Sequence, residues 1–124
     1  MPVRFLIADD YRAHQRLLSN IILLLGAQWE CADDGRMALQ KAQKHEFDII
    51  LMDMSMPEMD GLTATRMLRG IDHLRDVPIV ALTANAMEGD KEKSLEAGCT
   101  GYIRKPVDVD KLPDEVLHYI RSRR

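Results

Sequence analysis

The stretch Phe47-Asp-Ile-Ile-Leu-Met-Asp53-Met-Ser-Met-Pro-Glu-Met-Asp-Gly61 decides the fold. Its first half is apolar at consecutive rather than alternate positions and ends in an acid. A short run of that kind, bounded by turn residues, reads as a strand buried on both faces. Its second half carries Pro57 and Gly61, which punctuate a loop. Residues 3–9 (VRFLIAD) and 78–83 (PIVALT) have the same apolar character. Such strands belong to a parallel sheet with helices packed on both sides.

The intervening segments supply those helices. Residues 11–26 place Leu17, Leu18, Ile21, Ile22, Leu24 and Leu25 on what reads as one wide buried face, with Gly26 as the stop. Residues 34–46, 62–71, 84–97 and 108–124 also read as helices, and residues 27–32 and 100–104 as strands. Strand and helix alternate five times. The expected fold class is α/β, a single doubly wound five-stranded parallel sheet in the order 2-1-3-4-5. The helix over 84–97 is polar and carries Gly89 in its interior, so a loosely held helix on a moving face is expected there.

At 124 residues the chain is one domain's worth, and residues 1–124 read as one unit. With 46% hydrophobic and 30% charged residues it can build a core without disulfide or metal staples. That balance excludes disorder. The net charge of −3 argues against nucleic acid as a partner, since phosphate contacts need a basic face. No apolar run approaches the ~18 residues of a membrane span. No charged-then-apolar leader opens the sequence, so the expected location is cytoplasmic. Cys31 and Cys99 show no CxxC or metal spacing and read as reduced, packed thiols. His14, His45, His73 and His118 show no ligand spacing and receive no site role. Met52, Met54, Met56 and Met59 read as core and loop packing.

Chemistry gathers at the strand ends. The first strand ends in Asp9-Asp10, the third in Asp53 and the fourth in Thr83, while Lys105-Pro106 follows the fifth. In the order 2-1-3-4-5 the first and third strands are neighbours, so three carboxylates converge beside a hydroxyl and an ammonium. Carboxylates that close need a proton or a cation between them. A small hard cation such as Mg²⁺ suits oxygen ligands of this kind. The set resembles a phosphoryl-transfer site, in which a carboxylate can take the phosphoryl group as an acyl phosphate. Singly, Asp9-Asp10 or Thr83 would pass for helix N-caps and Lys105 for a solvated strand-end lysine.

Four motifs, each at a strand end and in the right order, carry a family resemblance over nearly the whole chain. They are Asp9-Asp10, the Asp48–Gly61 segment, Ala81-Leu-Thr-Ala-Asn-Ala-Met87 and Gly101-Tyr-Ile-Arg-Lys-Pro106. Together they resemble the receiver domain of bacterial two-component response regulators, of the stand-alone or hybrid-histidine-kinase type. The resemblance implies a flavodoxin-like, CheY-like fold. It implies Asp53 as the phospho-acceptor, served by a histidine kinase or histidine phosphotransfer domain. Asp10, Asp53, Asp9 through water and the backbone carbonyl of Ser55 are implied as Mg²⁺ ligands. Lys105 is implied to pair with Asp53 and then with the phosphoryl oxygens, across a usually cis Lys105-Pro106 bond. Thr83 is implied to swing toward the phosphoryl group, with Tyr102 turning inward behind it. The implied output surface is the face of helix 4, strand 5 and helix 5, with a downstream protein partner and neither nucleic acid nor membrane.

The sequence departs from that family at Tyr11, where many hybrid-type receivers carry Asn. The resemblance implies that Ser55 and Asn85 occupy positions that tune acyl-phosphate lifetime, and the small Ala84 is expected to leave the Thr83 side open to a donor. An aspartyl-phosphate phosphatase or phosphotransferase on an external substrate is the alternative. The haloacid-dehalogenase type needs a second Asp two residues after the nucleophile, and Ser55 stands there. A flavodoxin-like cofactor binder would need a Ser/Thr/Gly-rich phosphate loop where Asp9-Asp10-Tyr11-Arg12 stands.

Overall fold

The computed structural model describes residues 3–56, 59–83 and 88–121, the last stretch without the side chains of residues 88–91. The strands are β1 (Arg4–Ala8), β2 (Gln28–Ala32), β3 (Ile49–Asp53), β4 (Ile79–Thr83) and β5 (Gly101–Arg104). The helices are α1 (Arg12–Leu24), α2 (Gly35–Lys44), α3 (Gly61–Arg69), α4 (Glu88–Ala97) and α5 (Leu112–Arg121). The strands form one parallel sheet in the order β2-β1-β3-β4-β5, as expected.

Consecutive apolar residues in the strands divide between the two faces of this sheet. Leu6, Ala8, Ile50, Met52, Ile79 and Ala81 pack with Ala38 and Ala42 of α2 and Ala64 and Leu68 of α3. Their chain neighbours Phe5, Ile7, Ile49, Leu51, Val80 and Leu82 pack with Leu18, Ile21 and Ile22 of α1 and Leu112 and Val116 of α5. Side chains alternate along a strand, so a strand covered on both faces must be apolar throughout. The methionine expectation holds: Met52 and Met56 are buried, and Met54 and Met59 pack against the same core.

Several local readings need correction. Leu18, Ile21, Ile22 and Leu25 form one stripe of α1, but Leu17 is 36% and Leu24 87% exposed. Those two lie one position, about 100° of helix rotation, off the stripe. The last helix begins at Leu112 rather than at residue 108. The Asp108 carbonyl accepts from the Lys111 and Leu112 amides and its carboxylate from the Asp110 amide, which makes a turn of residues 108–111. Pro113 then sits in the first helical turn, where its missing N–H costs nothing. A short 3-10 turn at Asp72–Leu74, unforeseen in the sequence, buries Leu74. Gly26 has φ 74° and stops α1, as expected. Asp34 and Asp60 cap α2 and α3 by accepting from Met37 N and Thr63 N. The expected helix start at residue 84 lies outside the described residues, as do residues 122–124. Among the described side chains of α4, Ser94 and Ala97 are buried and Leu95 is 44% exposed.

Candidate phosphoryl-transfer site

The carboxyl ends of β1, β3 and β4 and the residue after β5 come together at one edge of the sheet. Asp9 is fully buried, Asp53 is 3% exposed and Thr83 is 6% exposed, while Asp10 lies open to solvent. One carboxylate oxygen each from Asp9, Asp10 and Asp53 falls within 4.8 Å of the others. Lys105 Nζ reaches in from beyond β5, 3.2 Å from Asp53 Oδ1 and 3.7 Å from Asp9 Oδ2. The five residues singled out in the sequence at strand ends therefore share one edge, where the three carboxylates cluster and the ammonium reaches Asp9 and Asp53.

Backbone groups fix these side chains. Asp9 Oδ1 accepts from the Tyr11 amide at 2.9 Å, and Asp53 Oδ1 accepts from the Ser55 amide at 3.1 Å. These bonds hold the acids at the strand ends and do not make either a helix cap; Tyr11, the N-cap of α1, makes no side-chain cap bond. Gln15 on α1 donates to the Asp9 carbonyl and to Asp33. The Lys105 amide donates to the Thr83 carbonyl, tying the lysine's backbone to the end of β4. The Lys105–Pro106 bond is cis. A Cβ at Gly61 would collide with the Asp53 carbonyl and with Met54, so glycine is required where α3 starts against the end of β3.

Asp9 Oδ2 is buried and has no hydrogen-bond partner among the described residues. A buried carboxylate oxygen in that state is costly without a counter-charge. Lys105 supplies one positive charge against three carboxylates. The donor set is all oxygen and carries excess negative charge, so it fits a hard divalent cation.

Tyr102 is half-buried and pairs with Ala81 across the β4–β5 ladder, while Thr83 pairs with Arg104 two residues on. Tyr102 and Thr83 thus stand on the same face of neighbouring strands. Ala84 and Asn85 lie outside the described residues.

One site residue escaped the sequence reading. His14, in the first turn of α1, places Nδ1 3.4 Å from Lys105 Nζ and 3.3 Å from Asp9 Oδ2. Tyr11 stands edge-on to its ring, with centroids 4.7 Å apart. The available signal was position, one helical turn beyond Asp10. Between α1 and the segment after β5 lies a small cavity of about 100 Å³, lined by His14, Leu17, Lys105 and Val107 among others.

A parallel sheet of this order with acids and a lysine at its carboxyl edge is an α/β domain whose site suits phosphoryl transfer. The response regulator receiver domain model matches residues 5–117, and the chain belongs to that family. Phosphoryl acceptance on an aspartate with Mg²⁺ is the family's general function. The chain is 36% identical over 120 residues to the polar-differentiation response regulator DivK of Brucella anthropi, covering 97% of this chain and 98% of DivK. It is 38% identical over 111 residues, 90% of its length, to the signal transduction histidine-protein kinase BarA of Shigella flexneri, and spans 12% of that kinase. Its fold matches the receiver domain of sensor histidine kinase PA1611 from Pseudomonas aeruginosa PAO1 with a TM-score of 0.91. Identity there is 35%, over 98% of this chain and 100% of the other, and that structure holds a magnesium ion in the active-site cleft. No helix among the described residues is long and apolar enough to cross a membrane.

Proposed function

We propose that Asp53 is the phospho-acceptor and that it takes its phosphoryl group from a phosphohistidine on a histidine kinase or phosphotransfer domain. The observation that carries this reading is the convergence of Asp9, Asp10 and Asp53 with Lys105 at the carboxyl edge of the sheet. Asp53 Oδ1 is held by Lys105 and by the Ser55 amide, so Oδ2 is the attacking oxygen. The new P–O bond forms as the P–N bond of the phosphohistidine breaks, and the freed imidazole nitrogen takes a proton. Lys105 moves from the carboxylate to the phosphoryl oxygens. Asp9, Asp10, Asp53 and the Ser55 carbonyl would hold Mg²⁺, Asp9 through water. When bound, Mg²⁺ supplies charge neutralisation for the phosphoryl oxygens.

Thr83 then donates its hydroxyl to the phosphoryl group, and Tyr102, on the same face, turns inward behind it. This remodels the α4–β5–α5 face for a downstream protein partner. The domain works in the cytoplasm as a single receiver unit over residues 1–124, catalysing only its own phosphorylation and dephosphorylation.

The test is intact-mass measurement after incubation with acetyl phosphate and Mg²⁺, beside Asp53→Asn and an EDTA control. One phosphoryl group is expected on the wild type and none in either control. Beryllofluoride, which mimics the bound phosphoryl group without hydrolysing, covers a short-lived adduct. Failure of both on the wild type would overturn the reading.

A further inference from the structure

An ammonium has three N–H donors, and three acceptors ring Lys105 Nζ. Asp53 Oδ1 lies at 3.2 Å, His14 Nδ1 at 3.4 Å and Asp9 Oδ2 at 3.7 Å. Two are carboxylates and one is an imidazole. The imidazole nitrogen also approaches Asp9 Oδ2, at 3.3 Å. Yet Asp9 Oδ2 has no hydrogen-bond partner among the described residues, so the ring N–H direction does not point at it. The approach to Lys105 does satisfy hydrogen-bond geometry. An ammonium cannot accept, so a hydrogen bond between the two groups uses the Nδ1 lone pair.

We infer that His14 is a positioning residue for Lys105, holding its ammonium beside Asp53 through an acceptor that does not change during the reaction. The consequence for rate rests on the reading of Asp53 as phospho-acceptor; the contact itself does not. Once Asp53 carries a phosphoryl group its carboxylate charge is gone, and its pull on Lys105 weakens. His14 is not consumed, and it stands on the first turn of α1, opposite the segment that carries Lys105. The Tyr11 ring packs edge-on against the imidazole. Without His14, Asp9 Oδ2, already 3.7 Å from the ammonium, competes with Asp53 for it.

Leu and Asn separate this role from packing. Leu matches the apolar neighbours Leu17 and Val107 but offers no acceptor. Asn carries its Oδ1 on Cγ, as His carries Nδ1, and so offers an acceptor at the same place. The experiment compares wild type, His14→Leu and His14→Asn in three readouts. These are the rate of phosphoryl uptake from phosphoramidate at saturating Mg²⁺, the Mg²⁺ Kd, and the NMR signal of the Lys105 ammonium.

His14→Leu is expected to slow uptake about tenfold, the scale of one hydrogen bond to a charged group. Its Mg²⁺ Kd should stay within about twofold, a change too small to account for the rate, and its Lys105 signal should shift. His14→Asn should restore both the rate and the signal. The inference is overturned if His14→Leu is as fast as wild type, if Asn is as slow as Leu, or if the Mg²⁺ Kd weakens in step with the rate. Should wild type take up no phosphoryl group, the function proposed above fails, and the Lys105 signal decides this inference alone. A shift confined to Leu supports it, and an unmoved signal overturns it.

Discussion

Lys105 Nζ stands 3.2 Å from Asp53 Oδ1, and this contact joins the segment after β5 to the end of β3. Lys105 is the ammonium that faces the buried pair Asp9 and Asp53, with its side chain only 15% exposed. Replacing it by Met leaves two buried carboxylates without that counter-charge. Breaking a buried pair from one side costs about 3–5 kcal/mol. We expect Lys105→Met to lose stability on that scale in EDTA and to recover much of it in Mg²⁺, measured by urea melts in both. Phosphoryl uptake should fall at least about a hundredfold, the usual cost of removing a group that stabilises developing oxygen charge.

The same crowding predicts the opposite sign for Asp10. It is exposed, and its charge adds to those of Asp9 and Asp53 within 4.8 Å. Asp10→Asn removes one like charge from that group. We expect the variant to be more stable than wild type in EDTA by roughly 0.5–1 kcal/mol, since functional sites hold such strain. It should bind Mg²⁺ at least about tenfold more weakly, the worth of losing one charged ligand. Thermal melts across a Mg²⁺ titration check both, and a variant less stable in EDTA and unchanged in affinity would remove the crowding argument.

The acids, Thr83 and Lys105 were legible in the sequence because each closes or follows an apolar run, and strand ends in a parallel sheet share one edge. The doubly buried strands were legible for the same reason: apolar at every position has few other meanings. What the sequence hid was contact at long separation. His14 and Lys105 lie 91 residues apart, and a position one helical turn beyond Asp10 does not by itself reveal that contact. Arg69, at the end of α3, received no role in the sequence analysis, and its guanidinium donates to the carbonyls of Leu74, Val77 and Gly98 and to Thr100 Oγ1. It clasps the segments that lead into β4 and β5, a job visible only once the sheet is assembled. Leu17 and Leu24 were misread because their apolar character was weighed without their helical phase.

Both thiols are free, and burial pushes each above its ordinary pKa. Cys99 is buried beside Thr65, whereas Cys31 is only partly covered. Alkylation in the native state should therefore modify Cys31 slowly and Cys99 only on unfolding, which mass mapping of iodoacetamide adducts will read. The raised pKa also has a sign for stability. The folded chain keeps the thiol proton to higher pH than the unfolded chain, so this stabilisation is complete below the unfolded thiol's pKa. It is lost as pH rises from about 8.5 toward the folded value. Cys99→Ala should flatten that alkaline decline in urea melts, and an unchanged slope would remove Cys99 as its source.

The start of β5 sets one further constraint. A Cβ built at Gly101 would collide with the phenol ring of Tyr119 on α5, which packs against the α1–α5 core. Gly101 itself is buried and sits next to Tyr102. Overpacking of that kind costs about 1–3 kcal/mol. We expect Gly101→Ala to destabilise by that amount. Tyr119→Leu shortens the ring and should make room for the added methyl. The double variant should then lose less than the two single losses together, a coupling of at least about 0.5 kcal/mol. Additive losses in urea melts would mean that the methyl is accommodated by moving β5 rather than the ring. In that case the Tyr102 backbone amide should shift in Gly101→Ala whether or not Tyr119 is replaced.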